Sequence, residues 1–180
     1  MDSSQPVAAA ITAEITRIRE LLRQHKFDEA LNRGEGLLVE MPDHRDARLF
    51  VAVAQRHLGR IEDALQTLIK LEQHHPRFSR LYEERGHCFV HLKQAPQAIE
   101  AFLKAVNINH ALPIAWRLLE GLYRMTEQAA NAAMAASHVS TLRNIPPEIV
   151  AATSLFMDGD LDVAESMVRA YLLKDRKSVV

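Results

Sequence analysis

The sequence predicts an all-α chain, a right-handed superhelical solenoid of about five antiparallel helix-turn-helix hairpins. Three observations carry that expectation. Ala30, Ala64, Ala98 and Ala132 stand 34 residues apart, and Ala164 follows after 32. Apolar or small residues recur four positions later (Leu68, Phe102, Ala136, Val168) and seven positions later (Leu37, Leu71, Ala105, Val139, Tyr171), which is the spacing of one helix face. A short break precedes each alanine, so every period holds two helices.

The first hairpin, approximately 11–44, breaks at Gln24–Lys26 and continues through Phe27-Asp28-Glu29-Ala30-Leu31 to a stop near Pro42. Its first helix is weakly patterned, with Glu14 and Arg17 where apolar residues are expected. The second, approximately 45–78, places Arg48, Val51, Ala52 and Gln55 on its first helix, turns at Gly59–Arg60, and ends at His74-His75 before Pro76. Proline disfavours helix in the residue before it, and a positive side chain favours a helix C-terminus. The third, approximately 79–112, repeats the frame as Tyr82, Arg85, Gly86 and Phe89, breaks at Lys93–Ala95, and continues through Pro96-Gln97-Ala98-Ile99. The fourth, approximately 113–144, gives Trp116, Leu119, Glu120 and Tyr123, breaks at Thr126–Gln128, and packs six alanines into residues 127–136. Alanine favours helix, and this second helix is expected to pack tightly. The fifth, approximately 145–176, starts at Pro146-Pro147 and turns at Asp158-Gly159-Asp160. All five are expected to form one domain over 1–180.

The period has a physical reason. Two helices of about 14 residues with tight turns fill about 34 residues. Small residues such as Ala64 and Ala98 let the paired helices approach closely, and large ones such as Trp116, Tyr82 and Phe102 fill the space between hairpins. One hairpin cannot bury its apolar face alone, so stacking is required.

The run Tyr82, Gly86, Phe89, Ala98, Phe102, Ala105 resembles the tetratricopeptide repeat pattern. Trp116, Leu119, Tyr123 and Ala132 resemble it too, with Glu120 where the family prefers a small residue. The resemblance covers roughly residues 11–176. It implies a protein-interaction scaffold whose first helices line a concave inner surface that binds the ligand. The positions implied for that surface are Asp46, Leu49, Val53, Arg56 and His57 in the second hairpin. They are Arg80, Glu83, His87, Val90 and His91 in the third, and Ile114, Arg117, Gly121, Arg124 and Met125 in the fourth. Arg56, His57, Arg80, His87, His91, Arg117 and Arg124 outnumber the acids Asp46 and Glu83. A mildly basic groove fits an acidic peptide or a terminal carboxylate, which arginine grips as a fork. Ile15, Arg19, Phe50 and Glu84 do not reproduce the Lys, Asn and Arg set with which some members hold acidic chaperone tails, so chaperone binding is not expected.

Other chemistry is weakly supported. His87 and His91 lie one turn apart, but Cys88 points about 100° away from His87, so the three cannot face one ion. Cys88 beside the close-packed Gly86 column reads as an inert buried thiol. No glycine-rich turn opens a helix to cradle phosphate. Glu83-Glu84 and Asp158/Asp160 read as helix-surface and turn carboxylates, structural or solvated. Met125, Met134, Met157 and Met167 read as packing adaptors. No enzyme activity, cofactor or metal is therefore expected.

The net charge of −1 creates no field favouring nucleic acid or a membrane surface. The acidic start, with Asp2 and no basic n-region, does not read as a signal peptide. A single cysteine fits a reducing compartment, and a cytoplasmic protein is the expectation. Val163, Met167, Val168, Tyr171, Leu172 and Leu173 leave the last helix without a polar cap. Either the chain is the N-terminal part of a longer protein or this face self-associates. Residues 147–173 also resemble the repeat region of bacterial proteins that fuse such repeats to a C-terminal sulfotransferase domain, which implies a substrate- or partner-positioning arm without the transferase chemistry.

Overall fold

The computed structural model describes residues 4–178, with side chains described over 8–174. Among the described residues ten helices follow one another: α1 (Ser4–Arg23), α2 (Phe27–Glu40), α3 (Arg45–His57), α4 (Ile61–His74), α5 (Ser79–His91), α6 (Ala95–Ile108), α7 (Pro113–Met125), α8 (Ala129–Arg143), α9 (Pro147–Met157) and α10 (Leu161–Ser178). They pair in sequence as five helix-turn-helix hairpins, the all-α helical-repeat architecture expected. The chain divides into two compact units at Pro76–Arg77.

Each hairpin turns in the same way. One left-handed residue occupies each turn: His25, Gly59, Lys93, Glu127 and Gly159. The first four again stand 34 residues apart. At each turn the next amide bonds five residues back: Lys26 N to Leu21 O, Arg60 N to Gln55 O, Gln94 N to Phe89 O, Gln128 N to Tyr123 O and Asp160 N to Leu155 O, at 2.8–2.9 Å. The left-handed residue itself bonds three back, as in Lys93 N to Val90 O at 3.0 Å. This is the Schellman arrangement, which satisfies the last carbonyls of one helix while reversing the chain. Glycine fills only two of the five positions.

In the first unit α1 packs on α2 and α3, and α3 packs on α4. Ile15, Ile18 and Leu21 form the buried face of α1, so the helix keeps an apolar stripe despite Glu14 and Arg17. Glu14 instead pairs with Arg33 of α2 at 2.8 Å. Close approach of α2 to α3 depends on Gly34, where an added Cβ would lie 2.7 Å from Val51 Cγ2. His44 caps α3, its Nδ1 accepting from the Ala47 amide at 3.2 Å. His74 and His75 close α4, both turned to Asp43: His74 Nε2 is 3.4 Å from its carboxylate and His75 Nε2 3.2 Å from its carbonyl.

In the second unit α5 packs on α6, α6 on α7, α7 on α8, and α9 on α10. Tyr82, Phe102 and Leu119 are fully buried. Burying such side chains contributes roughly 1.5–3 kcal/mol each. A Cβ on Gly86 would fall 2.6 Å from the Phe102 ring, so the small column here is a steric requirement. The next hairpin reverses the sizes in the same two columns: Glu120 replaces Gly86, and Ala136 replaces Phe102. This exchange accounts for the glutamate that departs from the small-residue preference. The alanine-rich α8 packs on α7 through Ala132 and Ala135, its two buried residues.

Candidate functional site

The outward face of α7 is the clearest surface. Ile114, Arg117, Gly121 and Met125 follow offsets of three, four and four, which aligns them on one side of a helix, and all four are exposed. Ile114 is 57% and Met125 79% exposed. Met125 and Met134 are thus surface side chains rather than packing adaptors. The opposite side of α7 holds Ala115, Trp116, Leu119, Leu122 and Tyr123 in the core. Trp116 is fixed by an Nε1–H donated to the His110 carbonyl at 3.0 Å and by stacking on His138. That anchoring orients the exposed stripe. Arg124, also exposed, lies 2.6 Å from Glu120 one turn earlier, so its charge is shared within its own helix.

On α5 the corresponding positions are less open. Val90 and His91 are exposed, whereas Arg80, Glu83 and His87 are half-buried. His87 meets the Phe102 ring edge-on, with centroids 5.5 Å apart. Cys88 is fully buried, so His87, Cys88 and His91 occupy three different environments. Of the two readings open to the Glu83-Glu84 pair, structural or solvated, burial favours the structural one: Glu84 is buried and Glu83 half-buried.

The end of α9 meets the start of α5. Asp158, at the C-terminal end of α9, has a side chain 0% exposed. Its Oδ1 accepts from the Ser79 amide and its Oδ2 from the Ser79 hydroxyl, both at 2.9 Å. Asn109, just past α6, donates its Nδ2 toward Asp158 Oδ2 at 3.3 Å and toward the Ser154 carbonyl and hydroxyl at 3.0 Å. Its Oδ1 accepts from the Ala111 amide at 3.0 Å. Arg80 Nε stands 3.8 Å from Asp158 Oδ2. The carboxylate thus sits at the N-terminus of α5, where exposed amides and the helix dipole favour negative charge. Burial pushes the Glu83 carboxyl pKa up to about 7; Arg80 opposes the shift, and Glu84 and Asp158 reinforce it.

In the first unit Arg56 is half-buried, with its Nη2 3.2 Å from His57 Nε2. The exposed His57 ring stacks on Phe27, centroids 4.3 Å apart. Asp46 and Val53 are half-buried, and Leu49 is buried in place of the exposed position expected for it. The eight expected groove residues therefore fall into two sets: Arg56 and His57 in the first unit, and Arg80, Glu83, His87, His91, Arg117 and Arg124 in the second. Sequence reasoning missed Ser79, Asn109, Ser154 and Asp158. Asp158 reads locally as an ordinary turn residue beside Gly159, and nothing nearby signals a partner 79 positions away.

No group of three or more His, Cys, Asp or Glu side chains among the described residues could hold a metal ion. No described helix is long and apolar enough to cross a membrane.

The tetratricopeptide repeat family matches the sequence twice, over residues 21–84 and 58–113, together just over half the chain. No curated protein matches it. Among solved structures, MamA is similar at 18% identity, covering 93% of each chain with a TM-score of 0.61. A thermophilic protein of this repeat class from Thermus thermophilus is similar at 21% identity, covering 89% of this chain and 80% of that one, with a TM-score of 0.64. PcrH, solved in complex with the chaperone-binding region of PopD, is similar at 16% identity, over 76% of this chain and 92% of that one, with a TM-score of 0.51. These are likenesses of fold.

Proposed function

The chain belongs to the tetratricopeptide repeat family, and on that premise we propose that the exposed face of its first helices, α7 foremost, receives a segment of a protein partner. It is a protein-interaction scaffold. The observation that supports this placement is the stripe Ile114, Arg117, Gly121 and Met125, in which apolar and cationic groups stand exposed on a helix whose other side is locked into the core. Val90 and His91 of α5 continue the same character. An apolar anchor beside an arginine fits a peptide that carries both a hydrophobic side chain and a carboxylate. The protein complex formed by the structurally similar PcrH is consistent with a protein ligand. The face is less basic than the residue count implies, because Arg124 is paired with Glu120 and Arg80 lies beside Asp158.

The test is capture of partners from cells of the source by immobilised protein, compared with Arg117→Glu and Ile114→Asp. Neither side chain supports the core, so both variants are expected to unfold at the wild-type temperature. Loss of the captured proteins from both variants is expected. Retention of the same proteins at the same yield would reject this face as the binding surface.

A further inference from the structure

The fifth hairpin reaches past the fourth to bond the third. The hydrogen bonds of Asp158 and Ser154 described above join the end of α9 to the start of α5 and the end of α6. We infer that Asp158 is an intramolecular latch: it holds the fifth hairpin over the start of α5, and its release uncovers Arg80 and Glu83 for a partner.

Three observations carry this. The first is the asymmetry of the attachment. Among described residues of α9 and α10, the buried apolar side chains are Val150, Ala152 and Ala164, and the two alanines are the smallest kind. Leu161, Val163, Leu172 and Leu173 remain exposed. Ile149, Leu155, Met157 and Val168 are half-buried, so the apolar attachment is shallow, and the buried polar cluster of Ser79, Asn109, Ser154 and Asp158 adds directional bonds to it. The second is chemical. The donors that hold Asp158 are a helix N-terminal amide, a hydroxyl, a carboxamide and a guanidinium, the groups that would hold a carboxylate from outside. The third is positional. Arg80 and Glu83 are at first-helix positions whose counterparts on α7 are open, and they lie beside the latch. Opening the hairpin would extend the exposed face from α7 along α5.

The gating role rests on the binding face proposed above, but the latch itself can be tested without a partner. Amide hydrogen exchange on the full chain compares wild type with Asp158→Ala. Exchange in α9 and α10 and at the first turn of α5 is expected to accelerate at least about tenfold, as a loss of roughly 1.4 kcal/mol of local stability would produce, while peptides from α6 and α7 keep their wild-type rates. Unchanged exchange in α9 and α10 would overturn the latch. So would acceleration spread equally over α5 to α8, because Asp158 would then be a staple of the whole unit. If Asp158→Ala does not fold, Asp158→Asn, which keeps one oxygen for the Ser79 amide, is read by the same criteria with a smaller acceleration. A fluorescein-labelled peptide of alternating Glu and Leu reports the gating. Asp158→Ala is expected to bind it several-fold tighter than wild type. Accelerated exchange with equal affinity would show an opening that exposes no binding surface and would overturn the gating role while leaving the α7 reading intact.

Discussion

Gly86 and Gly121 occupy helix interiors with opposite surroundings, so the same substitution has opposite signs. A Cβ at Gly86 meets the fully buried Phe102 ring at 2.6 Å. Relief requires movement of a packed aromatic, and overpacking of this kind costs about 1–3 kcal/mol, against a helix-propensity gain of about 1 kcal/mol. Gly86→Ala is expected to lower the unfolding temperature. At Gly121 nothing lies within 4 Å, so Gly121→Ala gains propensity without a clash and is expected to stabilise by about 0.5–1 kcal/mol. Denaturant titration checks both. Glu83 makes a pH-dependent prediction. Its folded pKa, about 7, lies above the ordinary value of 4.5, so the folded protein binds this proton more tightly than the unfolded chain. The stability this group supports is fully present below 4.5 and falls as pH rises through about 7. Glu83→Gln should therefore match wild type near pH ~4 and exceed it near pH ~8, by an amount on the order of 1–3 kcal/mol. A constant difference across that range would show that burial of the charge is not the cause.

At the scale of the element, the hairpin turn is the repeated unit. His25, Lys93 and Glu127 adopt left-handed backbone, with φ of 59°, 57° and 58°, where a side chain costs about 1–2 kcal/mol relative to glycine. Lys93→Gly and Glu127→Gly are each expected to stabilise by about 0.5–1 kcal/mol, read as a higher unfolding temperature, because part of the gain is offset by the greater freedom of glycine in the unfolded chain. The sequence was legible here because the period is written in core residues: Ala64, Ala98, Phe102 and Tyr82 must be small or large to pack, and their columns place the helices. The turn geometry was less legible, since only Gly59 and Gly159 advertise it. Exposure on α7 could be read from helical phase alone, and the structure leaves Ile114, Arg117, Gly121 and Met125 open. The same phase failed on α5 and α9. Glu83, Glu84 and Asp158 read as structural or solvated, and which of the two holds depends for Asp158 on Ser79 and Asn109, far away in sequence. Periodicity within a helix carries no information about such a contact. The alanine-rich α8 packs on α7 through Ala132 and Ala135, but its pattern could not tell which of its many alanines face that partner.

At the scale of the molecule, the second unit contains both an open first-helix face and a fifth hairpin bonded through Asp158 to the start of α5. The open face lies on a buttressed helix: Trp116 is stacked and hydrogen-bonded, and Leu119 and Tyr123 are buried. A rigid scaffold presenting a few exposed side chains lowers the ordering cost of binding. Hydrogen exchange of the protein with and without a captured and purified partner tests whether partners engage this face. Slowed exchange concentrated in α7 and the second half of α5 is expected, and Arg117→Glu should abolish it. Slowing confined to α2, α4, α6 or α8, with α5 and α7 unaltered, would place the partner elsewhere.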